Sequence, residues 1–241
     1  MLRFLLIILW IVLIMGIIGI PALLVLGLIW LFNKDLELRL AHRYVRVILG
    51  GITWLAGEKI VPIGLENIPD HESVLFISNH RSLFDIFTAY RFFKGPTACI
   101  SKIEWSRIPI LKQWMDTIRT IYLDRSSVRA GLKATAKAEE LLKKDISIWV
   151  CPEGTRSHSQ ELLPFHEGSF RSAFQTGKRI VPFTLTHTDD IFEKHRPFVR
   201  RATVTIAFGK PIETTGLNKE ERKELVEAIR AQIQTTYNEL N

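Results

Sequence analysis

Residues 73–85 have the sequence Ser73-Val74-Leu75-Phe76-Ile77-Ser78-Asn79-His80-Arg81-Ser82-Leu83-Phe84-Asp85. The first six residues are typical of a buried β-strand, and the apolar residues after the turn recur at helical spacing. A strand that passes through a short polar turn into a helix is typical of α/β folds. In open α/β sheets, ligands bind at the carboxyl ends of the strands. We therefore expect His80 at a ligand-binding edge.

The turn also pairs an imidazole, His80, with a carboxylate, Asp85. If Asp85 accepts a hydrogen bond from one ring nitrogen of His80, the other ring nitrogen is free to take a proton, as in a general base. The spacing from Ser82 to Asp85 equally fits a capping box, with Ser82 as the helix N-cap. The two roles are compatible, because a carboxylate in the first helical turn can still face His80.

The chain beyond residue 60 alternates between strand-like and helix-like segments. Strands are predicted at Lys59 to Ile63, Val74 to Ser78, Thr97 to Ser101, Thr120 to Leu123, Ile146 to Cys151, Ile180 to Thr186 and Ala202 to Phe208. Helices are predicted at Phe84 to Phe93, Ile108 to Met115, Val128 to Lys143, Gly168 to Thr176 and Leu217 to Leu240. This alternation indicates the α/β class, with a mixed or mainly parallel sheet flanked by helices.

The N-terminus is a long apolar run in which Arg3 is the one charge between residues 2 and 32. It predicts a membrane segment, because a secretory signal has a shorter apolar region and a small-residue cleavage site. A single straight helix of this length would measure about 45 Å, longer than a hydrocarbon core of about 30 Å. A tilted span is one interpretation. The other is a re-entrant hairpin of two short helices, broken at Gly16, Gly19 and Pro21.

The residues after the apolar run carry positive charge. Lys34, Arg39, Arg43 and Arg46 follow it, against Arg3 before it. The positive-inside rule therefore predicts the inner (cytoplasmic) membrane, with the α/β domain facing the cytoplasm. Residues 36–55 are amphipathic and predict a helix that lies on the membrane surface or packs on the core. We expect an anchoring region at residues 1–57 and an α/β domain at residues 58–241.

Composition narrows the choice of partners. The 241 residues carry a net charge of +7, which favours an anionic partner. The apolar anchor indicates the lipid bilayer rather than nucleic acid. Cys99 and Cys151 lie in apolar runs and are expected in the core, in a reducing compartment. No His or Cys pairs have metal-ligand spacing and no glycine-rich nucleotide loop is present, so we expect neither a metal nor such a cofactor.

A second polar turn follows the strand that ends at Cys151. Its sequence is Pro152-Glu153-Gly154-Thr155-Arg156-Ser157. The guanidinium of Arg156 suits a phosphate, Thr155 offers a hydroxyl, and Gly154 allows close backbone approach. Glu153 is expected either to pair with Arg156 or to hold a substrate hydroxyl. The alternative is a solvated turn with an internal Glu and Arg pair.

Together, Asn79-His80-x-Ser82-x-x-Asp85 and Pro152-Glu153-Gly154-Thr155-Arg156-Ser157 resemble the motifs of the 1-acyl-sn-glycerol-3-phosphate acyltransferase family of glycerolipid acyltransferases. The resemblance extends over residues 60–210 and includes Tyr122-Leu123-Asp124-Arg125 and Val181-Pro182. It implies that His80 deprotonates a free glycerol hydroxyl and that Asp85 orients the imidazole ring. The hydroxyl would then attack the thioester carbonyl of an acyl donor.

The family likeness also implies a site for the acceptor. Lys102, Arg125 and Arg156 would surround its phosphate, with Glu153, Gly154 and Thr155 shaping the pocket. The expected acceptor is lysophosphatidic acid, giving phosphatidic acid. The expected co-substrate is acyl-CoA or acyl carrier protein loaded with an acyl group. Two alternatives stay open: the same chemistry on another lysophospholipid or glycerol-3-phosphate, and a non-catalytic phospholipid-binding module.

Overall fold

The computed structural model describes residues 1–241 and contains seven β-strands and eight α-helices. The strands are β1 (Lys59–Ile63), β2 (Leu75–Ser78), β3 (Thr97–Lys102), β4 (Ile121–Leu123), β5 (Ser147–Val150), β6 (Ile180–Thr186) and β7 (Thr203–Phe208). The helices are α1 (Leu2–Ile11), α2 (Gly19–Phe32), α3 (Lys34–Ala56), α4 (Phe84–Ala89), α5 (Pro109–Thr117), α6 (Val128–Lys143), α7 (Arg171–Thr176) and α8 (Lys219–Leu240). All seven predicted strands are present, and the predicted helix that starts at Phe84 ends earlier than expected.

The strands form one sheet in the order β1-β7-β6-β2-β5-β3-β4. Neighbouring strands from β6 to β4 are parallel, β7 is antiparallel to β6, and β1 is parallel to β7. The predicted α/β fold with a mainly parallel sheet is therefore confirmed. Because β2 to β6 all point the same way, their last residues share one edge, which we call the carboxyl edge.

The central strands are apolar because both faces of the sheet are covered. Every residue of β2 and β5 is buried, as expected for strands between two helical layers. The outer strand β1 is largely exposed and contains Pro62, which lacks a backbone N–H and is tolerated at a sheet edge. The two strands that lead into the polar turns, β2 and β5, are thus buried along their whole length.

The N-terminal run forms one long helix over Leu2–Phe32, long and apolar enough to cross a membrane. Gly16, Gly19 and Pro21 do not break it, so the interpretation as two short helices is wrong. A π-helical turn at Val12–Ile17 lies just before Pro21. Proline removes one helical hydrogen bond and crowds the preceding turn, and a wider turn relieves that crowding without ending the helix.

Helix α3 folds back along the long helix after Asn33, whose side chain accepts a hydrogen bond from the backbone N–H of Leu36 at 2.9 Å. Trp10 Nε1 donates to the Ile48 carbonyl at 3.0 Å, and the Tyr44 hydroxyl donates to the Ile14 carbonyl at 2.8 Å. A later residue of the long helix thus pairs with an earlier residue of α3, which shows that the two helices are antiparallel.

The other side of α3 packs on α4 and α5, as expected of a helix on the core. The His42 ring lies 2.9 Å from the Tyr90 hydroxyl, just beyond α4. Ile7 of α1, Ile48 of α3 and Phe183 of β6 belong to one core cluster. The apolar N-terminus and the α/β domain are thus joined by continuous packing.

Candidate functional site

The imidazole of His80 and the carboxylate of Asp85 form a hydrogen-bonded pair at the carboxyl edge. His80 lies two residues after the end of β2, and Asp85 lies in the first turn of α4. His80 Nδ1 and Asp85 Oδ2 are 2.8 Å apart. The Asp85 side chain is 1% exposed, whereas that of His80 is 23% exposed. The structure therefore buries the Asp85 carboxylate and leaves the His80 imidazole partly exposed at the edge.

Asp85 accepts hydrogen bonds from four groups. Its Oδ2 accepts from His80 Nδ1, from the backbone N–H of Arg81 at 2.8 Å and from the backbone N–H of Ser82 at 2.9 Å. Its Oδ1 accepts from the hydroxyl of Thr188 at 2.6 Å. An ionised carboxylate has only acceptor sites, so His80 carries its proton on Nδ1. The Nε2 atom then has a free lone pair, as a general base requires.

The capping interpretation is also partly correct. The bond from the Ser82 N–H to Asp85 is one half of a capping box, and the Ser82 hydroxyl oxygen accepts from the backbone N–H of Phe84 at 2.9 Å. The same carboxylate therefore caps the start of α4 and orients the His80 ring. This double role fixes the ring relative to the helix.

Glu153 is buried and holds the backbone of the turn at residues 79–85, which carries His80. Its Oε1 accepts from the backbone N–H of His80 at 2.8 Å, and its Oε2 accepts from the backbone N–H of Leu163 at 2.9 Å. Burial raises the pKa of this carboxyl, while the two backbone N–H groups act in the opposite direction. Glu153 does not pair with Arg156. Its contacts make it a link between the two polar turns.

The remainder of the second turn is open at the surface. Gly154 has a φ of +70°, and a Cβ atom at this position would lie 3.2 Å from the His166 ring, so a glycine is needed. Thr155 is exposed. Arg156 Nη1 lies 3.4 Å from Glu193 Oε1, and its side chain is 28% exposed. Arg156 thus lies beside the turn that carries His80, and its guanidinium is partly exposed to solvent.

Lys102 and Arg125 lie on the same edge but farther away. Lys102 ends β3 and pairs with Glu104 at 2.8 Å, and Arg125 is exposed just after β4. These strands are two and three places from β2 in the sheet. At a spacing of about 4.8 Å per strand, that separation is roughly 10 and 15 Å. The structure joins His80, Asp85 and Glu153 by direct contacts, and the roles of Lys102 and Arg125 stay predictions.

Two residues at the site, Thr188 and Glu193, were missed in the sequence, and Asn79 was noted in a motif without its contact being predicted. Thr188 holds Asp85 from the segment after β6, the strand beside β2. Glu193 accepts from the Ser82 hydroxyl at 2.5 Å and from the backbone N–H of Leu83 at 2.8 Å. Asn79 bridges to β6 through two hydrogen bonds with the Leu185 backbone. The Thr188 segment could have been found if the pairing of β6 with β2 had been known. That pairing joins strands far apart in the chain, so the local sequence pattern does not predict it.

The substitution Glu153→Gln tests whether Glu153 positions His80 or binds substrate. A glutamine keeps one acceptor oxygen and turns an NH2 group towards a backbone N–H. We expect kcat to fall roughly tenfold to 100-fold, because small displacements of a catalytic group are costly. The free energy of unfolding should fall by about 1 to 3 kcal/mol. The acceptor KM should stay unchanged in steady-state assays.

Glu161→Gln is the matched control, because Glu161 is exposed on the same loop and its side chain makes no hydrogen bond. It should behave as the unaltered protein. A raised acceptor KM at unaltered kcat in Glu153→Gln would instead assign Glu153 to substrate binding.

Comparison with known proteins agrees with this geometry. Residues 59–186 match the family model described as Acyltransferase. A 1-acyl-sn-glycerol-3-phosphate acyltransferase of Borreliella burgdorferi is 32% identical over 195 residues, covering 81% of this chain and 78% of the relative. The enzyme of the same name from Cocos nucifera is 31% identical, covering 92% of this chain and 75% of the relative.

A solved structure has the same fold. The crystal structure of the 1-acyl-sn-glycerophosphate acyltransferase from Thermotoga maritima superposes with a TM-score of 0.77, covering 99% of this chain and 96% of that one, at 24% identity. The match includes the N-terminal helices as well as the α/β domain. From the family model and the two relatives, this chain belongs to the acyltransferase family, in the group whose members are named 1-acyl-sn-glycerol-3-phosphate acyltransferases.

Proposed function

We propose that this protein transfers a fatty acyl group from a thioester donor to the free glycerol hydroxyl of 1-acylglycerol-3-phosphate, giving phosphatidic acid. The observation that carries the proposal is the His80 and Asp85 pair, in which Nδ1 is held and Nε2 is free. The relatives named for this reaction support the choice of acceptor. The protein is thus a lysophosphatidic acid acyltransferase of phospholipid biosynthesis.

The chemistry needs one base that later acts as an acid. His80 Nε2 takes the proton from the glycerol hydroxyl as the hydroxyl oxygen forms a bond to the thioester carbonyl carbon. The tetrahedral intermediate collapses with cleavage of the carbon–sulfur bond, and the imidazolium returns its proton to the leaving thiolate. Asp85 stabilises the imidazolium in between. Acid and base catalysis of this type contributes about 100-fold to 10,000-fold.

The phosphate of the acceptor would bind beside His80. Arg156 is the nearest candidate, because Glu193 contacts both its guanidinium and the catalytic turn. A phosphate on Arg156 would replace the 3.4 Å ion pair with two charge-assisted hydrogen bonds, which guanidinium groups form well. Lys102 and Arg125 would add longer-range attraction from the same edge. Gly154 and Thr155 would form the wall of this pocket.

The apolar helix Leu2–Phe32 associates with membranes. We assign residues 1–57 to anchoring and residues 58–241 to the catalytic domain. The positive charge that follows the helix supports a cytoplasmic position for the catalytic domain. In that position the protein would meet lysophosphatidic acid in the bilayer and acyl-CoA or acyl carrier protein from the aqueous side.

A panel of acceptors tests the proposed function. Purified protein is assayed with acyl-CoA and acyl carrier protein donors against lysophosphatidic acid, lysophosphatidylcholine, glycerol-3-phosphate and monoacylglycerol. We expect turnover to be fastest with lysophosphatidic acid. No turnover of this acceptor would refute the proposal. Faster turnover of another acceptor would identify that compound as the preferred substrate. Binding without turnover of any acceptor would indicate a non-catalytic module.

Arg156→Ala tests the phosphate site within the same panel. Losing charge-assisted bonds worth about 1.5 to 3 kcal/mol should raise the KM for lysophosphatidic acid about tenfold to 100-fold. The KM for the donor should not change, and the preference over monoacylglycerol should fall by about the same factor. Arg171→Ala, which removes an exposed arginine at the start of α7, is the control. An unchanged preference in Arg156→Ala would locate the phosphate elsewhere.

A further inference from the structure

A cavity lies where the start of the long helix meets the end of α3 and the first residues of β1 and β7. Its volume is about 1010 Å³, and its walls are partly apolar and partly basic. The apolar side includes Leu2, Leu6 and Trp54. Leu2 and Trp54 are 71% and 77% exposed, so the apolar wall continues onto the outer surface of the anchoring helices.

The basic side consists of Arg3, Lys59 and Arg201. None of these three side chains forms an ion pair, and the one hydrogen bond among them joins Arg3 Nη1 to the Leu55 carbonyl at 2.9 Å. Gly57 allows two of them to converge, because a Cβ atom there would lie 2.6 Å from Arg3 Nη1 and 2.8 Å from Arg201 Cγ. Converging cations without a counter-ion favour an anionic ligand.

Glu58 is the one carboxyl residue among those that line the cavity. Its Oε1 accepts a hydrogen bond from the Thr88 hydroxyl at 2.5 Å, and its Oε2 is buried without a partner. Burial raises the pKa of Glu58 to about 7, so its neutral form is well populated near neutral pH. The cavity therefore keeps a net positive charge.

We propose that this cavity binds the phosphate of an anionic phospholipid of the bilayer, with Arg3, Lys59 and Arg201 around the phosphate. The acyl chains would lie along Leu2 and Trp54, which lead from the cavity to the membrane-facing surface. A free phosphate would use the cations but not the apolar wall.

This would be a second lipid site, separate from the acceptor site. The first residues of β7 pair with the last residues of β6, for example Thr205 with Thr186, so the cavity opens at the carboxyl edge. Strands β6 and β7 lie between β1 and β2. The residues that line the cavity include neither His80 nor any residue of the Arg156 turn. A bound phospholipid would hold the N-terminal end of the long helix against the sheet.

Calorimetric titration of the full-length protein in a neutral detergent tests the site. The probes are dihexanoylphosphatidylglycerol, dihexanoylphosphatidylcholine and inorganic phosphate. We expect the anionic lipid to bind about tenfold more tightly than either of the others. The double variant Arg3→Gln with Arg201→Gln should weaken that binding about tenfold to 100-fold, because two charge-assisted contacts are lost. Lys59→Gln, at the exposed start of an outer strand, should weaken it about tenfold.

Arg200→Gln is the matched control, since Arg200 is exposed next to Arg201 but does not line the cavity. Its binding should equal that of the unaltered protein. Equal binding by the unaltered protein and Lys59→Gln would overturn the proposal, as would an equal loss in Arg200→Gln. Inorganic phosphate binding as tightly as the lipid would indicate a free anion site instead. Turnover is not the readout, so failure here leaves the proposed acyl transfer unaffected.

Discussion

His80→Ala is expected to lower kcat about 100-fold to 10,000-fold while leaving the fold and membrane association unchanged. Alanine removes Nε2, the ring atom that takes the hydroxyl proton, and the neighbouring carboxylates of Asp85, Glu153 and Glu193 already accept hydrogen bonds from the turn. The His80 side chain is partly exposed and forms a single side-chain hydrogen bond, to Asp85. Its removal should therefore change the thermal midpoint little. Initial rates with lysophosphatidic acid, together with a melting curve, measure both effects.

The control is His71→Ala. His71 is exposed on a loop before β2, and its ring has no hydrogen bond. This variant should keep full activity. Full transfer activity in His80→Ala would show that another group removes the proton. A large drop in the thermal midpoint would mean that His80 is mainly structural.

Asp85→Asn is expected to have the second largest effect, a fall in kcat of about 100-fold to 10,000-fold. The amide has one acceptor oxygen where the carboxylate has two, and its NH2 group must face donors from His80, Arg81 or Thr188. The His80 ring then loses the acceptor that fixes its tautomer and the negative charge that stabilises its protonated form. Because Asp85 also caps α4, the protein should lose about 1 to 3 kcal/mol of unfolding free energy.

Thr188→Val separates the two contributions of Asp85. It removes the hydrogen bond to Oδ1 and leaves the three donors to Oδ2 in place. We expect a loss of about 1 to 2 kcal/mol in stability and only a severalfold fall in kcat. Rates should be compared over a range of pH, because a purely structural loss leaves the shape of the profile unchanged. If Thr188→Val were as inactive as Asp85→Asn, packing of the turn rather than orientation of the ring would explain both.

The sequence predicted the strands well because each is a short apolar run between polar turns. β2 and β5 are buried on both faces, so their patterns are continuous and easy to recognise. The order of the strands was not predicted, since β6 lies between β2 and β7 through pairings that are far apart in the chain. One of the two interpretations of the apolar run placed a helix break at Pro21. The structure instead has a π-helical turn before Pro21 that relieves the crowding by the proline, and the sequence pattern does not predict such a turn.

In the site, too, contacts between residues close in the chain were predicted and contacts between distant residues were not. His80 and Asp85 are five residues apart, and their contact follows from one turn. Glu193 reaches that turn from more than one hundred residues away, within a charged segment that resembles a solvated loop. Glu153 was recognised as part of a motif, but its two backbone partners depend on how the β5 turn meets the β2 turn. Local chemistry is thus readable in the sequence, and the support around it comes from the tertiary fold.

The fold-back at Asn33 has a consequence for how substrate arrives. α3 packs on the long helix on one side and on α4 on the other, and only Gly57 and Glu58 separate it from β1. The His80 imidazole is therefore held at a fixed position relative to the long apolar helix, with no flexible tether between them. An acceptor would reach it by lateral diffusion, so encounter becomes a two-dimensional search. The rate of such a search follows the surface density of lysolipid in the bilayer rather than its concentration in bulk water.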